Sequence, residues 1–148
     1  MQKIEGKKKF FKGAVYSKCD PYYRRAKCEG YRARSAYKLL QVDEEFNLFA
    51  GAERAVDLCA APGSWSQVLA TRLYETQEAR QSADAGQEQR IVSVDLQEME
   101  KIDGVAIVQG DITTDKTVQD VLSVFKGRKA DLVVSDGAPD VTGFHEID

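Results

Sequence analysis

Histidine and cysteine are scarce in this chain. Among 148 residues there is one histidine, His145, and there are three cysteines, Cys19, Cys28 and Cys59, with no C-x-x-C pair. An odd cysteine count argues against a disulfide framework, and a single histidine leaves no ordinary zinc ligand set. A metal-free protein of a reducing compartment, taken as the cytoplasm, is therefore expected. No run of about 18 apolar residues exists, so no segment is expected to span a membrane. The N-terminus, Met1-Gln2-Lys3-Ile4-Glu5-Gly6-Lys7-Lys8-Lys9, is charged but lacks the apolar stretch of a secretory signal. No internal repeat is present. The length suits one domain with a substantial core.

Charge is unevenly spread. Residues 1–40 hold 12 Lys/Arg against 3 Asp/Glu, a net of +9, whereas residues 41–148 hold 9 against 21, a net of −12. An acidic body repels a polyanion, so the basic arm is a candidate nucleic-acid contact. Residues 1–19 read as a basic tail. Over residues 22–38, Tyr22, Tyr23, Tyr31 and Tyr37 interleave with Arg24, Arg25, Arg32, Arg34 and Lys38. Aromatic faces stack bases and cations hold phosphates, which makes Arg24, Arg25, Arg32 and Arg34 candidate RNA contacts.

Asp20-Pro21 marks a helix start, with an N-cap acceptor followed by proline at the first helical position, and Gly30 marks its end. A second helix over about residues 35–46 carries Leu39, Val42 and Phe46, with Phe49 beyond, as a core-facing stripe. Strands are expected at 54–59, 91–96, 105–109 and 131–135. Helices follow the first strand (Trp65, Val68, Leu69 and Leu73 on one face) and the third (Val118, Val121, Leu122 and Phe125). Residues 75–90 are polar and of low complexity, and read as a surface insertion whose first half extends a helix. Alternating β and α units imply an α/β fold with a doubly wound, mostly parallel sheet. The apolar fourth strand wants a neighbour on each side. Residues 20–148 are therefore expected to be the N-terminal portion of a domain truncated after that strand.

The first strand, turn and helix run Ala55-Val56-Asp57-Leu58-Cys59-Ala60-Ala61-Pro62-Gly63-Ser64-Trp65-Ser66-Gln67-Val68-Leu69. Small residues fill the turn where a ligand approaches the backbone of a parallel sheet. Each strand has an aspartate in or just after it: Asp57, Asp95, Asp111 and Asp136. Topology brings these to one sheet edge as a shared ligand site. A carboxylate after the second strand is placed to grip a ribose diol, and Asp111 to accept from the amine of an adenine. A dinucleotide wants G-x-G-x-x-G and a helix N-terminus open to pyrophosphate. This turn has one glycine and a proline without an N–H, and the carboxylates suit a cation, which favours S-adenosylmethionine. Trp65, in the first turn of the helix, is expected beside the ligand. Cys59 reads as a small buried residue rather than a nucleophile, and His145 as a loop residue.

Residues 57–67 resemble the adenosylmethionine-binding motif of the FtsJ/RrmJ ribose 2′-O-methyltransferases. Tyr31-Arg32-Ala33-Arg34-Ser35-Ala36-Tyr37-Lys38-Leu39-Leu40 is similar to that family's N-terminal motif, and Ser135-Asp136-Gly137-Ala138-Pro139-Asp140-Val141-Thr142-Gly143 to its catalytic-aspartate motif. Cys59, Ser64 and the Gly-Ala-Pro-Asp-Val-Thr-Gly run look most like the eukaryotic branch that modifies the tRNA anticodon loop. The resemblance implies a Rossmann-like fold, S-adenosyl-L-methionine held by Gly63, Trp65, Asp95, Asp111 and Asp136, and Lys38 and Asp136 as two members of a catalytic Lys-Asp-Lys-Glu tetrad. The second lysine and the glutamate are not found, so the isolated chain is expected to bind cofactor weakly and to methylate nothing. The resemblance also implies a tRNA substrate and auxiliary helical-repeat or propeller subunits. A ribosomal RNA methyltransferase and a non-catalytic RNA- or partner-binding module on the same fold stand as alternatives.

Overall fold

Four short apolar strands, β1 (Ala55–Leu58), β2 (Ile91–Asp95), β3 (Val105–Gln109) and β4 (Leu132–Ser135), pair in the order β3-β2-β1-β4, every pair parallel. In this computed structural model the structure describes residues 21–75, 77–85 and 88–138. Parallel neighbours need crossover connections, and helices supply them. The helices are α1 (Pro21–Cys28), α2 (Ala36–Phe46), α3 (Ser64–Leu73), α4 (Gln77–Asp84) and α5 (Asp115–Val124). This is the expected α/β architecture, with the chain reversing its direction of travel across the sheet between β1 and β4.

Alternation along the strands sends side chains to two cores. Ala55, Ile91, Val105 and Val134 pack with Ala36, Leu39, Val68, Leu69, Leu73 and Ala83 on one face. Val56, Val92 and Val94 pack with Phe125 on the other. Asp57 shares the first face, opposite Ser93 of β2 and Val134 of β4 in register. The sheet thus carries a carboxylate into its own interior.

Several local expectations are corrected. Leu39 is buried, but Val42 is 41% and Phe46 70% exposed. The buried residues of α2 are instead Ala36, Tyr37 and Leu39, with Asp43 partly buried on the Ala36–Leu39 side, so the helix is rotated away from its Val42–Phe46 face. Asp43 pairs with Arg72 of α3 at 3.5 Å and accepts from the Phe49 N–H at 3.3 Å, which fixes that rotation. Residues 75–90 contain α4 as a separate helix, and Ala83 enters the first core at 2% exposure. Of the expected stripe on α5, Phe125 is buried while Val118 and Leu122 are exposed. Among the described residues β4 pairs only with β1, and Val133 is exposed.

Candidate active site

The turn after β1 is shaped by what it must avoid. Cys59 takes a left-handed backbone (φ 56°), unusual for a non-glycine residue, and is exposed rather than buried as its size suggested. A Cβ on Gly137 would lie 2.9 Å from the Cys59 Cβ and 3.0 Å from its Sγ, so the loop after β4 approaches this turn as closely as a residue without a side chain permits. Asp136 is thereby brought beside Asp57, Cys59, Ser64 and Trp65 around a narrow cavity of about 40 Å³.

The segment before α2 is bolted to this turn. The Gln67 side chain accepts from the Arg32 N–H at 2.8 Å and donates to the Gly30 carbonyl at 3.0 Å. Ser35 and Ser64 hydroxyls meet at 2.8 Å, and the Trp65 indole N–H donates to the Ser35 carbonyl at 2.8 Å. The Arg32 guanidinium donates to the carbonyls of Pro62, Glu100 and Lys101 at 2.8–2.9 Å. Sequence alone suggests a phosphate contact for Arg32; its N–H groups here brace the turn after β1 against the 100–101 loop. Held this way, α2 delivers Lys38, whose Nζ donates to Asp136 Oδ1 at 2.9 Å across 98 positions of chain.

The other strand-end carboxylates lie along the same edge. Asp95 Oδ2 accepts from the Ala61 N–H at 2.9 Å and Oδ1 from the Gln97 N–H at 2.8 Å, tying the loop after β2 to that after β1. Asp111 Oδ1 accepts from the N–H and hydroxyl of Thr113, which hold its pKa below the ordinary carboxylate value. An ionised carboxylate has further lone pairs beyond these bonds. Leu96 and Ile112, each directly after one of these aspartates, are 68% and 41% exposed. The sequence pattern does not single them out, because their exposure is set by the loops that follow the strands. Among the described residues no group of three His, Cys, Asp or Glu side chains is arranged to hold a metal. Arg24 and Arg34 are exposed, and Arg25 pairs with Glu29 at 2.7 Å.

Asp57 is the unusual group. It is 1% exposed, and Ser66 donates its hydroxyl to Oδ2 at 2.6 Å, with Ser93 2.6 Å beyond. Burial pushes its pKa up to about 6; the Ser66 hydroxyl and N–H oppose this, and the charges of Asp136 and Asp95 add to it. A carboxyl whose pKa is higher folded than unfolded binds its proton more tightly when folded, so it favours the fold at low pH and loses that contribution as pH rises towards 6. Between pH 7.5 and pH 5 this group should add about 1 kcal/mol of stability. Urea denaturation of the Asp57→Asn variant should lack that increment. An unchanged difference between the two pH values would show that Asp57 does not titrate in this range.

Residues 31–148 match the FtsJ-like methyltransferase family. The chain is 59% identical over 131 residues to a tRNA (cytidine(32)/guanosine(34)-2′-O)-methyltransferase of Schizosaccharomyces pombe, covering 88% of this chain and 45% of the relative. It is 45% identical over 130 residues to the ribosomal RNA large subunit methyltransferase E of Variovorax paradoxus, covering 87% of this chain and 56% of the relative. The fold is similar to the crystal structure of a ribosomal RNA methyltransferase from Plasmodium falciparum, with a TM-score of 0.58 and 25% identity over 76% of this chain and 59% of the other. The chain thus spans about half the length of the curated relatives it matches.

Proposed function

The chain belongs to the FtsJ-like methyltransferase family, and from that premise we propose that it supplies the cofactor-holding part of an S-adenosylmethionine-dependent tRNA ribose 2′-O-methyltransferase acting in the anticodon loop. The observation that carries the reading is the Lys38–Asp136 ion pair at the mouth of the cavity between the β1 and β4 ends. Choice of tRNA over ribosomal RNA rests on the higher identity to the position-32/34 enzyme.

The donor set fits the cofactor. Asp57, Asp95, Asp111 and Asp136 make one sheet edge acidic, which favours a ligand carrying sulfonium and ammonium charges. Leu96 and Ile112 offer apolar surface for a purine ring beside carboxylates able to accept from a ribose diol and an amine. When bound, S-adenosylmethionine supplies an electrophilic methyl group. The chain's own task is to hold a ribose hydroxyl, a weak nucleophile, in line and to manage its proton. Asp136 fixes the Lys38 ammonium through one N–H, leaving two donors to orient the 2′-oxygen and neighbouring phosphate. Gly63, Trp65 and Arg32 keep the turn in place while this happens.

Calorimetry of the chain with S-adenosylmethionine tests the cofactor, and Asp95→Ala should weaken the heat signal. Methyl transfer is tested on anticodon stem-loop and ribosomal hairpin transcripts with a protein carrying this domain. A 2′-O-methyl group blocks alkaline cleavage, so the tRNA reading expects a gap in the anticodon-loop ladder at each methylated nucleotide. A gap only in the ribosomal hairpin would transfer the assignment to ribosomal RNA. Absence of cofactor binding by a protein carrying the whole domain would leave a non-catalytic module.

A further inference from the structure

Several aromatic and basic residues of the 22–38 segment make contacts within the fold. Tyr37 is buried, its hydroxyl donates to Glu29 at 2.7 Å, and Tyr31 packs edge-on against it at 5.8 Å. Burial and the neighbouring Glu29 push the Tyr37 pKa up to about 12, so the hydroxyl remains a donor. Arg25 lies 5.1 Å over the Tyr37 ring and bonds Glu29, and Arg32 braces three carbonyls. The contacts of Tyr37 with Arg25 and Glu29 fasten α1 to α2.

A groove of about 290 Å³ lies between α1 and α2, lined by Tyr22, Arg34, Ser35, Tyr37, Lys38 and Gln41. Tyr22 sits 5.9 Å from Tyr37 at a 50° tilt and keeps half of its surface exposed. One end of the groove is Lys38, whose Nζ reaches Asp136. A cleft that opens onto the reacting pair therefore combines an exposed aromatic ring, two cations and a side-chain amide, on the basic portion of an otherwise acidic chain. Those are the complements of a stacked base, a phosphate and a base edge.

We propose that this groove holds the nucleotide next to the methylated one in single-stranded RNA, with its base stacked on Tyr22, its phosphate on Arg34 and its edge beside Gln41. The proposal rests on the ribose-methyltransferase reading above and names the subsite by which that enzyme holds the strand. A peptide has no reason to require both the ring and the cation at this spacing, and the charge favours a polyanion. Stacking accepts every base, so the subsite should fix register along the strand more than sequence.

Fluorescence anisotropy with a labelled anticodon stem-loop tests it. Tyr22→Ala should weaken binding about tenfold, while Tyr22→Phe and Tyr22→Trp retain it. The salt dependence should stay the same in Tyr22→Ala and fall by about one unit of slope in Arg34→Gln. When loop nucleotides are made abasic one at a time, a single position should abolish the Tyr22→Ala penalty. Unchanged affinity in Tyr22→Ala, or a penalty indifferent to every abasic position, overturns the groove as a nucleotide subsite. Calorimetry of the unaltered chain with S-adenosylmethionine separates the two ideas, since cofactor binding with an indifferent Tyr22 removes only the groove. Tyr22→Phe guards against a folding artefact, because it keeps the ring and removes only a hydroxyl.

Discussion

Lys38→Ala and Asp136→Ala should each slow methyl transfer to an anticodon stem-loop by about 10²- to 10⁴-fold in a protein carrying this domain, and the double variant should be no slower than the worse single one. The two groups meet at 2.9 Å, so removing either leaves the other without its role: a lysine no longer aimed, or a carboxylate with nothing to aim. Groups acting as a unit are non-additive when removed together. The pair also allows function to be separated from folding. Lys38 is 66% exposed in its side chain and Asp136 28%, and an ion pair this open to water contributes about 0–1 kcal/mol. Urea midpoints should hardly move while single-turnover rates collapse. Lys38→Arg should not rescue, because a planar guanidinium presents its donors in a different geometry from the compact ammonium that meets Asp136. Cofactor affinity separates the roles further: Asp136→Ala should weaken S-adenosylmethionine binding and Lys38→Ala should leave it in place. A folded Lys38→Ala protein within threefold of the unaltered rate would remove Lys38 from the reaction.

The sheet and the acidic edge were legible because they depend on short-range patterns. Apolar runs of four or five residues fixed the strands, and a strand-end aspartate needs only its own strand to be located. The Lys38–Asp136 meeting was legible through motif resemblance alone, since no periodicity connects positions 98 apart. Arg32 shows where local reading stops. Beside Tyr31 and Arg34 it looks like a phosphate ligand, yet its acceptors are backbone carbonyls of Pro62, Glu100 and Lys101, and carbonyl groups leave no trace in a sequence. Asp57 shows a different limit. Its strand position was clear, but its burial against Ser66 and Ser93 depends on register and on the face α3 covers. Phe46 was misplaced because helical spacing defines a stripe without saying which neighbouring element meets it.

Gly63→Ala should cost about 3 kcal/mol of stability and loosen cofactor binding with it. Two effects add. Gly63 sits at φ 106° and ψ 17°, beyond the left-handed region that other residues tolerate, which costs about 1–3 kcal/mol for any side chain. A Cβ there would also lie 2.9 Å from Ile102 Cδ1 and 3.0 Å from the Arg32 guanidinium. The isoleucine methyl is the end of a flexible chain and can move. Arg32 cannot move without releasing the carbonyls it braces, which holds the clash in place. Gly51 provides the matching control, with φ 74° and open space around its missing Cβ, so Gly51→Ala should cost only about 1 kcal/mol of backbone strain. The excess at Gly63 should shrink by about 1 kcal/mol in an Arg32→Ala background, because the rigid partner is then gone. The lone tryptophan, Trp65, begins two residues away and reports unfolding of this turn by its fluorescence. Equal penalties at Gly63 and Gly51 would show that Arg32 yields freely, and that the turn after β1 owes its shape to backbone conformation alone.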